Sequence, residues 1–241
     1  MRAGVGLLAL GAAVLAAAPA LAQTAPNPAP ASKFLQAGDL DPAVLLPPPP
    51  RKDDPVTVAE LAELHRLAAS RTPERLAQAK RDDEIEDIRA IAEPLGPAFS
   101  LERYPATARL FADLRNEDSI AAKQAKAYFK RARPFEIDDR ALDVCDDGHD
   151  SRNSYPSGHA TMAYAASATL ANLMPGNAQV ILAHATDYVE SRLYCGVHYR
   201  SDLEAGHVLG AVLVQKLMTK PAFQAELEAA RAELTAAHIA P

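Results

Sequence analysis

The sequence contains no tryptophan, and its aromatic share is only 5%. Sheets draw on β-branched and aromatic residues, so this scarcity argues against a β architecture. Set beside long stretches of Ala, Leu, Glu, Lys and Arg, it predicts a mainly helical chain. Positive charge is also in short supply, with 25 Lys and Arg against 31 Asp and Glu and a net charge of −6. Overall electrostatics therefore give no nucleic-acid-binding surface and no attraction to anionic membranes, and any bound anion must be met by local positive charge. Cysteine is limited to Cys145 and Cys195, no internal repeat is visible, and a long apolar run occurs once.

That run, residues 5–21, follows Met1-Arg2 and ends in Ala20-Leu21-Ala22. A charged start, a short hydrophobic stretch and a small-x-small site read as a signal peptide, residues 1–22, cleaved after Ala22 rather than kept as an anchor. No second run approaches membrane length, so no span remains after processing, and a periplasmic or secreted protein is expected. In that compartment disulfides form and persist, and a Cys145–Cys195 bond is expected. Residues 23–55 are rich in proline and form a leader, with Pro47 to Pro50 predicted to run extended along the surface. Residues 56–241 are expected to be one helical domain.

Within that domain Val58, Leu61, Leu64 and Leu67 recur as the buried stripe of a first amphipathic helix. Thr72-Pro73-Glu74 is a cap followed by proline at the first helical position, opening a second helix to Ala92 that Pro94 and Gly96 end. Its acidic and basic run, Arg81, Asp82, Asp83, Glu84, Glu86 and Asp87, reads as a solvated face. Two helices are expected over 106–116 and 118–130, then a long loop over 135–155. Further helices are expected over 160–173, from Asn177 to about Tyr194, from Ser201 or Asp202 to Met218, and over 221–238.

Three segments join ionisable residues to backbone breakers at helix boundaries: Lys126 through Arg133-Pro134, Pro156-Ser157-Gly158-His159, and Ser191-Arg192 through His198 to Asp202. Guanidinium forks with one ammonium suit the oxygens of a phosphoryl group, so Lys126, Arg133 and Arg192 are candidate anion ligands. A helix start after Ser157-Gly158 offers unpaired N–H groups, a hydroxyl and room for close approach, with His159 standing beside the bound anion. His198 and Asp202 lie four apart at a loop-to-helix junction, close enough for the carboxylate to fix the ring's tautomer and stabilise positive charge on it. No metal is expected there, because three cations would repel one and supply its charge themselves. The cluster Asp146, Asp147, His149 and Asp150 reads as a solvated loop.

The spaced motifs Lys126-x6-Arg133-Pro134, Pro156-Ser157-Gly158-His159 and Ser191-Arg192-x5-His198-x3-Asp202 match the three-part signature of the type 2 phosphatidic acid phosphatase and vanadium haloperoxidase superfamily. Within it the chain resembles the bacterial class A nonspecific acid phosphatases. The resemblance implies an all-α single-domain bundle, hydrolysis of phosphate monoesters through a phosphohistidine, broad specificity, no cofactor, an acidic optimum and a homodimer. It implies His198 as nucleophile, Asp202 as its partner and His159 as leaving-group acid, with Lys126, Arg133, Ser157, Gly158 and Arg192 binding phosphate. Inorganic phosphate and vanadate are then expected inhibitors. Asn153 and Ala160 depart from the class A pattern, which usually has Gly and Thr there. Two other readings use the same cage. Against a vanadate-dependent haloperoxidase stand the short chain and the closeness of the class A motifs. Against a non-catalytic periplasmic phosphate-binding protein stand His159 and the His198–Asp202 pairing.

Overall fold

The computed structural model describes Met1 and residues 31–240, apart from residues 37, 139–141, 143 and 146–152. The expected signal peptide beyond Met1, residues 23–30 and 37 of the leader, and the Asp146 to Asp150 cluster lie outside the described residues.

Ten α-helices are described: α1 Pro42–Leu45, α2 Pro55–Ser70, α3 Pro73–Glu84, α4 Ile88–Ala92, α5 Pro105–Phe129, α6 Pro134–Ile137, α7 Gly158–Leu173, α8 Ala178–Tyr194, α9 Arg200–Leu217 and α10 Pro221–Ala236. No strand occurs among the described residues, and the fold is all-α. Local signals set many of the starts. Proline stands at the first turn of α1, α2, α3, α5, α6 and α10, where its missing N–H costs nothing. Asp54, Thr72 and Ser157 accept backbone N–H bonds from Val56, Arg75 and Ala160.

The centre of the bundle is α7, buried on nearly every side and packed most extensively against α9 and α8. A helix surrounded this way needs small residues for close approach, and Ala160, Ala163, Ala165 and Ala166 supply them. On α9, Gly206 and Gly210 complete the contact. A Cβ on Gly206 would stand 2.6 Å from that of Ala160 and 2.8 Å from the Ser157 carbonyl oxygen, and one on Gly210 would stand 2.6 Å from Thr161 O. These glycines fix the distance between the helix carrying Ser157 and His159 and the helix carrying Asp202. They also account for Ala160, since a β-branched residue at this wholly buried position would add bulk against Gly206.

Cys145 and Cys195 are disulfide-bonded, and Cys145 N donates to Cys195 O at 3.2 Å. The bond spans 50 residues and ties the segment before Ser157 to the loop before His198. In the chain-entropy model such a closure stabilises the fold by roughly 4 kcal/mol. Pro47 to Pro50 lie outside any helix, and Tyr155 donates its hydroxyl to Pro47 O at 2.7 Å.

Four expectations are corrected. The buried face of α2 is Thr57, Glu60 and Leu64, while Val58 is 59% exposed and Leu61 and Leu67 are half-buried. Glu60 is inside because Arg131 and the Ser201 N–H meet its carboxylate. The helix from Pro73 stops at Glu84, and Asp87 caps a separate α4 by accepting from Arg89 N. The two helices expected over 106–116 and 118–130 are one, because Glu117 and Asp118 are buried with partners instead of breaking it. Glu117 accepts from Ser32 and from the Lys33 and Phe34 N–H groups, and Asp118 pairs with Arg115. Finally, the charged run around Asp82 to Asp87 is not a solvated face. Asp83 and Glu86 face the site described next.

Candidate active site

Five elements bring the sequence-derived residues together. Lys126 lies in the last turn of α5 and Arg133 just before α6. Ser157, Gly158 and His159 open α7, Arg192 lies in the last turn of α8, and His198 and Asp202 bracket the start of α9. Arg192 and Asp202 are fully buried and His198 is 1% exposed. Arg133, Ser157 and His159 are buried as well. Such a concentration of buried charge is costly unless it is paired or awaits a ligand.

The pairing is complete around Asp202. Its Oδ1 accepts from Arg131 Nη1 at 2.6 Å, and its Oδ2 accepts from Ser154 Oγ at 2.5 Å and Tyr199 N at 2.9 Å. His198 Nδ1 lies 3.2 Å from the same Oδ2. With Nδ1–H donating to this carboxylate, the ring's lone pair falls at Nε2. Nε2 faces Arg133 Nη1 at 3.2 Å, while that guanidinium also donates to Val197 O at 2.7 Å. Arg131 holds Asp202 from behind. It also donates to Ser201 Oγ and Glu60 Oε2, and its guanidinium stacks 3.8 Å from the Tyr199 ring centroid.

Arg192 is different. Its Nε, Nη1 and Nη2 have no hydrogen-bonded partner among the described residues, although its side chain is 0% exposed. Asp83 Oδ1 stands 2.5 Å from Nη1 as a charge contact without hydrogen-bond geometry. Lys126 is the only ammonium of the group, and burial, followed by the Arg133 guanidinium nearby, pushes it down to about 8. His159 Nε2 lies 3.2 Å from Asp83 O, its Nδ1 lies 3.7 Å from Glu86 Oε1, and Tyr188 stacks on its ring. Burial, then the Arg192 charge, holds the His159 imidazole well below the usual histidine range. Gly158 is closely approached by the site: a Cβ there would stand 3.1 Å from Glu86 Oε1 and 3.8 Å from Lys126 Nζ.

The structure therefore brings Lys126, Arg133, Ser157, Gly158, His159, Arg192, His198 and Asp202 into one cluster at the ends of these helices. Sequence reasoning missed Arg131, Glu60 and Ser154 behind Asp202, and Asp83, Glu86 and Arg115 on the other side. Arg131 had a local signal, lying between two site cations. Glu60 had none, since its partners lie 71 and 141 positions away. Among the described residues, no three His, Cys, Asp or Glu side chains converge as metal ligands would, and no helix is long and apolar enough to cross a membrane.

The chain is also similar to known proteins. Residues 118–224, which hold every one of those eight residues, match the family model described as PAP2 superfamily. A Salmonella typhi protein named non-specific acid phosphatase is 33% identical, over 78% of this chain and 78% of its own. A Providencia stuartii protein of the same name is 29% identical over 80% and 81%, and a Zymomonas mobilis acid phosphatase is 28% identical over 82% and 78%. The chain belongs to the PAP2 superfamily.

Proposed function

We propose that the chain is an acid phosphatase, hydrolysing phosphate monoesters of broad structure through a phosphohistidine at His198 and without a metal. The observation that carries this reading is Arg192: a buried guanidinium whose three nitrogens lack hydrogen-bond partners among the described residues, set in one cluster with an oriented histidine. Phosphate oxygens satisfy those donors, with Lys126, Arg133, the Ser157 hydroxyl and the N–H groups at the start of α7 completing the cage. The names carried by relatives at about 30% identity support the same activity.

In the first half-reaction His198 Nε2 attacks phosphorus while the ester P–O bond breaks. The departing oxygen takes a proton from His159, and Asp202 stabilises the positive charge that forms on the His198 ring. The three cations hold the equatorial oxygens of the pentacoordinate state. In the second, water attacks phosphorus, its proton returns to His159, and the P–N bond breaks to give inorganic phosphate and free His198. Because His159 is held neutral in the empty site, its acid form becomes populated as pH falls. That direction supports an acidic optimum. The closed Cys145–Cys195 bond supports residence in the periplasm or outside the cell, and the resemblance to the class A phosphatases extends the reading to a homodimer.

The test is a panel of phosphomonoesters with EDTA present. Turnover should persist, with inorganic phosphate and vanadate competing with substrate. Apparent affinity should weaken as pH rises through about 8, where Lys126 loses its charge. Activity abolished by EDTA and restored only by a divalent metal would remove the metal-free mechanism.

His159→Ala separates its role from simple binding. Esters with poor alkoxide leaving groups should lose on the order of 10²–10⁴-fold in kcat, and activated aryl esters far less. Equal losses on both classes would take His159 out of the protonation step.

A further inference from the structure

The phosphatase mechanism makes no use of the acidic residues of α3 and the break after it. Yet Asp83, in the last turn of α3, reaches the core of the cage. Its Oδ1 is 2.5 Å from Arg192 Nη1 and 3.9 Å from His159 Nε2, and its own carbonyl oxygen accepts from that nitrogen at 3.2 Å. Both partners in the ion contact are removed from water, with side chains 0% and 10% exposed. The break is anchored from α5: Arg115 pairs with the Glu86 carboxylate at 2.9 Å and donates from Nε to Glu86 O at 2.7 Å. Asp83 is thus held against the cage by the fold and is not swept in from solvent.

A carboxylate and a phosphate cannot share one guanidinium without strong repulsion at this depth, where charges are poorly screened. The contact Asp83 makes with Arg192 neutralises charge but leaves Nε, Nη1 and Nη2 without hydrogen bonds among the described residues. A phosphate offers the geometry and the oxygens that the carboxylate does not. Resting on the phosphatase reading, we propose that Asp83 is a built-in competitor for the cage, standing in for phosphate on Arg192 in the empty enzyme and yielding it when a phosphate group enters. Asp83 then sets how tightly phosphate monoesters and released phosphate are held. It keeps Arg192 charge-balanced between turnovers and weakens product retention.

Asp83→Asn keeps the shape and removes the charge. Inorganic phosphate should inhibit this variant about tenfold or more strongly than the parent enzyme, and KM should fall with kcat changed less. Ligand-free Tm should fall, because Arg192 loses its counter-charge. Saturating phosphate should raise the variant's Tm by more than it raises the parent's. Asp83→Ser, smaller and neutral, should shift all four quantities in the same directions, and either variant can be purified in phosphate buffer if the empty form unfolds. Unchanged or weaker phosphate inhibition in both variants would overturn the proposal, since a residue that merely positions Arg192 gives that sign. If phosphate fails to stabilise or inhibit even the parent enzyme, the cage reading fails first and takes the proposal with it.

Discussion

Replacing His198 by alanine should lower kcat on the order of 10⁴-fold or more while leaving a folded protein that still binds phosphate. Among the described residues, His198 is the imidazole of the cage with an orienting carboxylate on its Nδ1; the second one, His159, is turned toward Asp83 O and Glu86. The fold should tolerate the loss. Arg133 keeps its bond to Val197 O, and Asp202 keeps Arg131, Ser154 and the Tyr199 N–H. Two measurements check the assignment. Parent enzyme quenched in alkaline denaturant should carry a base-stable, acid-labile phosphoryl group that is absent from the variant. Phosphate should still raise the variant's Tm, because Lys126, Arg133 and Arg192 remain. Turnover within a hundredfold of the parent, or a phosphoryl group trapped on another residue, would end the case for His198.

How much of this was legible before the fold was known depends on the range of each interaction. The three motif segments are short, each spanning no more than about a dozen residues, and their side chains act near helix ends that local signals mark. Ser157 as a cap and His198 four before Asp202 could be read from spacing alone. The disulfide could be inferred from two cysteines and an export signal. What failed depended on distant partners. Glu60 looked like surface and Val58 like core, because a regular apolar spacing outweighs a carboxylate until Arg131 and Ser201 are seen to claim it. Asn116 and Asp118 looked like a helix boundary. The helix runs through because Arg115 neutralises Asp118, and the chain from Ser32 to Phe34 docks on Glu117.

The acidic run after Arg81 gave the largest misreading, and for the same reason. In sequence, clustered Asp and Glu in a charged helix signify solvent. Here one helical turn and a break divide them among Ser191, Arg192, Arg115 and the mouth of the cage. Gly206 and Gly210 belong to this class too. The sequence offers no local sign of their role, and only the 2.6 Å approaches to α7 show that they fix the gap across which Asp202 and Ser157 meet.

Asp202→Asn should combine a stability loss of about 3–5 kcal/mol with a fall in kcat on the order of 10²–10⁴-fold. The physical reason is that Asp202 accepts at both oxygens and donates at neither. Arg131 Nη1 comes to Oδ1, while Ser154 Oγ, Tyr199 N and His198 Nδ1 come to Oδ2. An asparagine has one acceptor oxygen and one NH₂, so one side must face donor against donor. If the NH₂ takes the Oδ1 place, it opposes Arg131, whose buried charge is left on Glu60 alone. If it takes the Oδ2 place, it opposes the Tyr199 N–H that closes the first turn of α9, and it turns His198 to the other tautomer, with the proton on Nε2. Either choice costs stability, and the second also removes the lone pair from the attacking nitrogen. The two effects separate experimentally, since kcat is measured well below the lowered Tm and in saturating substrate. Replacing Arg131 by methionine should reproduce much of the stability loss with a smaller fall in kcat, because His198 Nδ1 still has Asp202 to donate to. If Asp202→Asn retains kcat within tenfold, Asp202 is a structural anchor for Arg131 and the start of α9, and the orientation of His198 must come from Arg133 and the Val197 carbonyl instead.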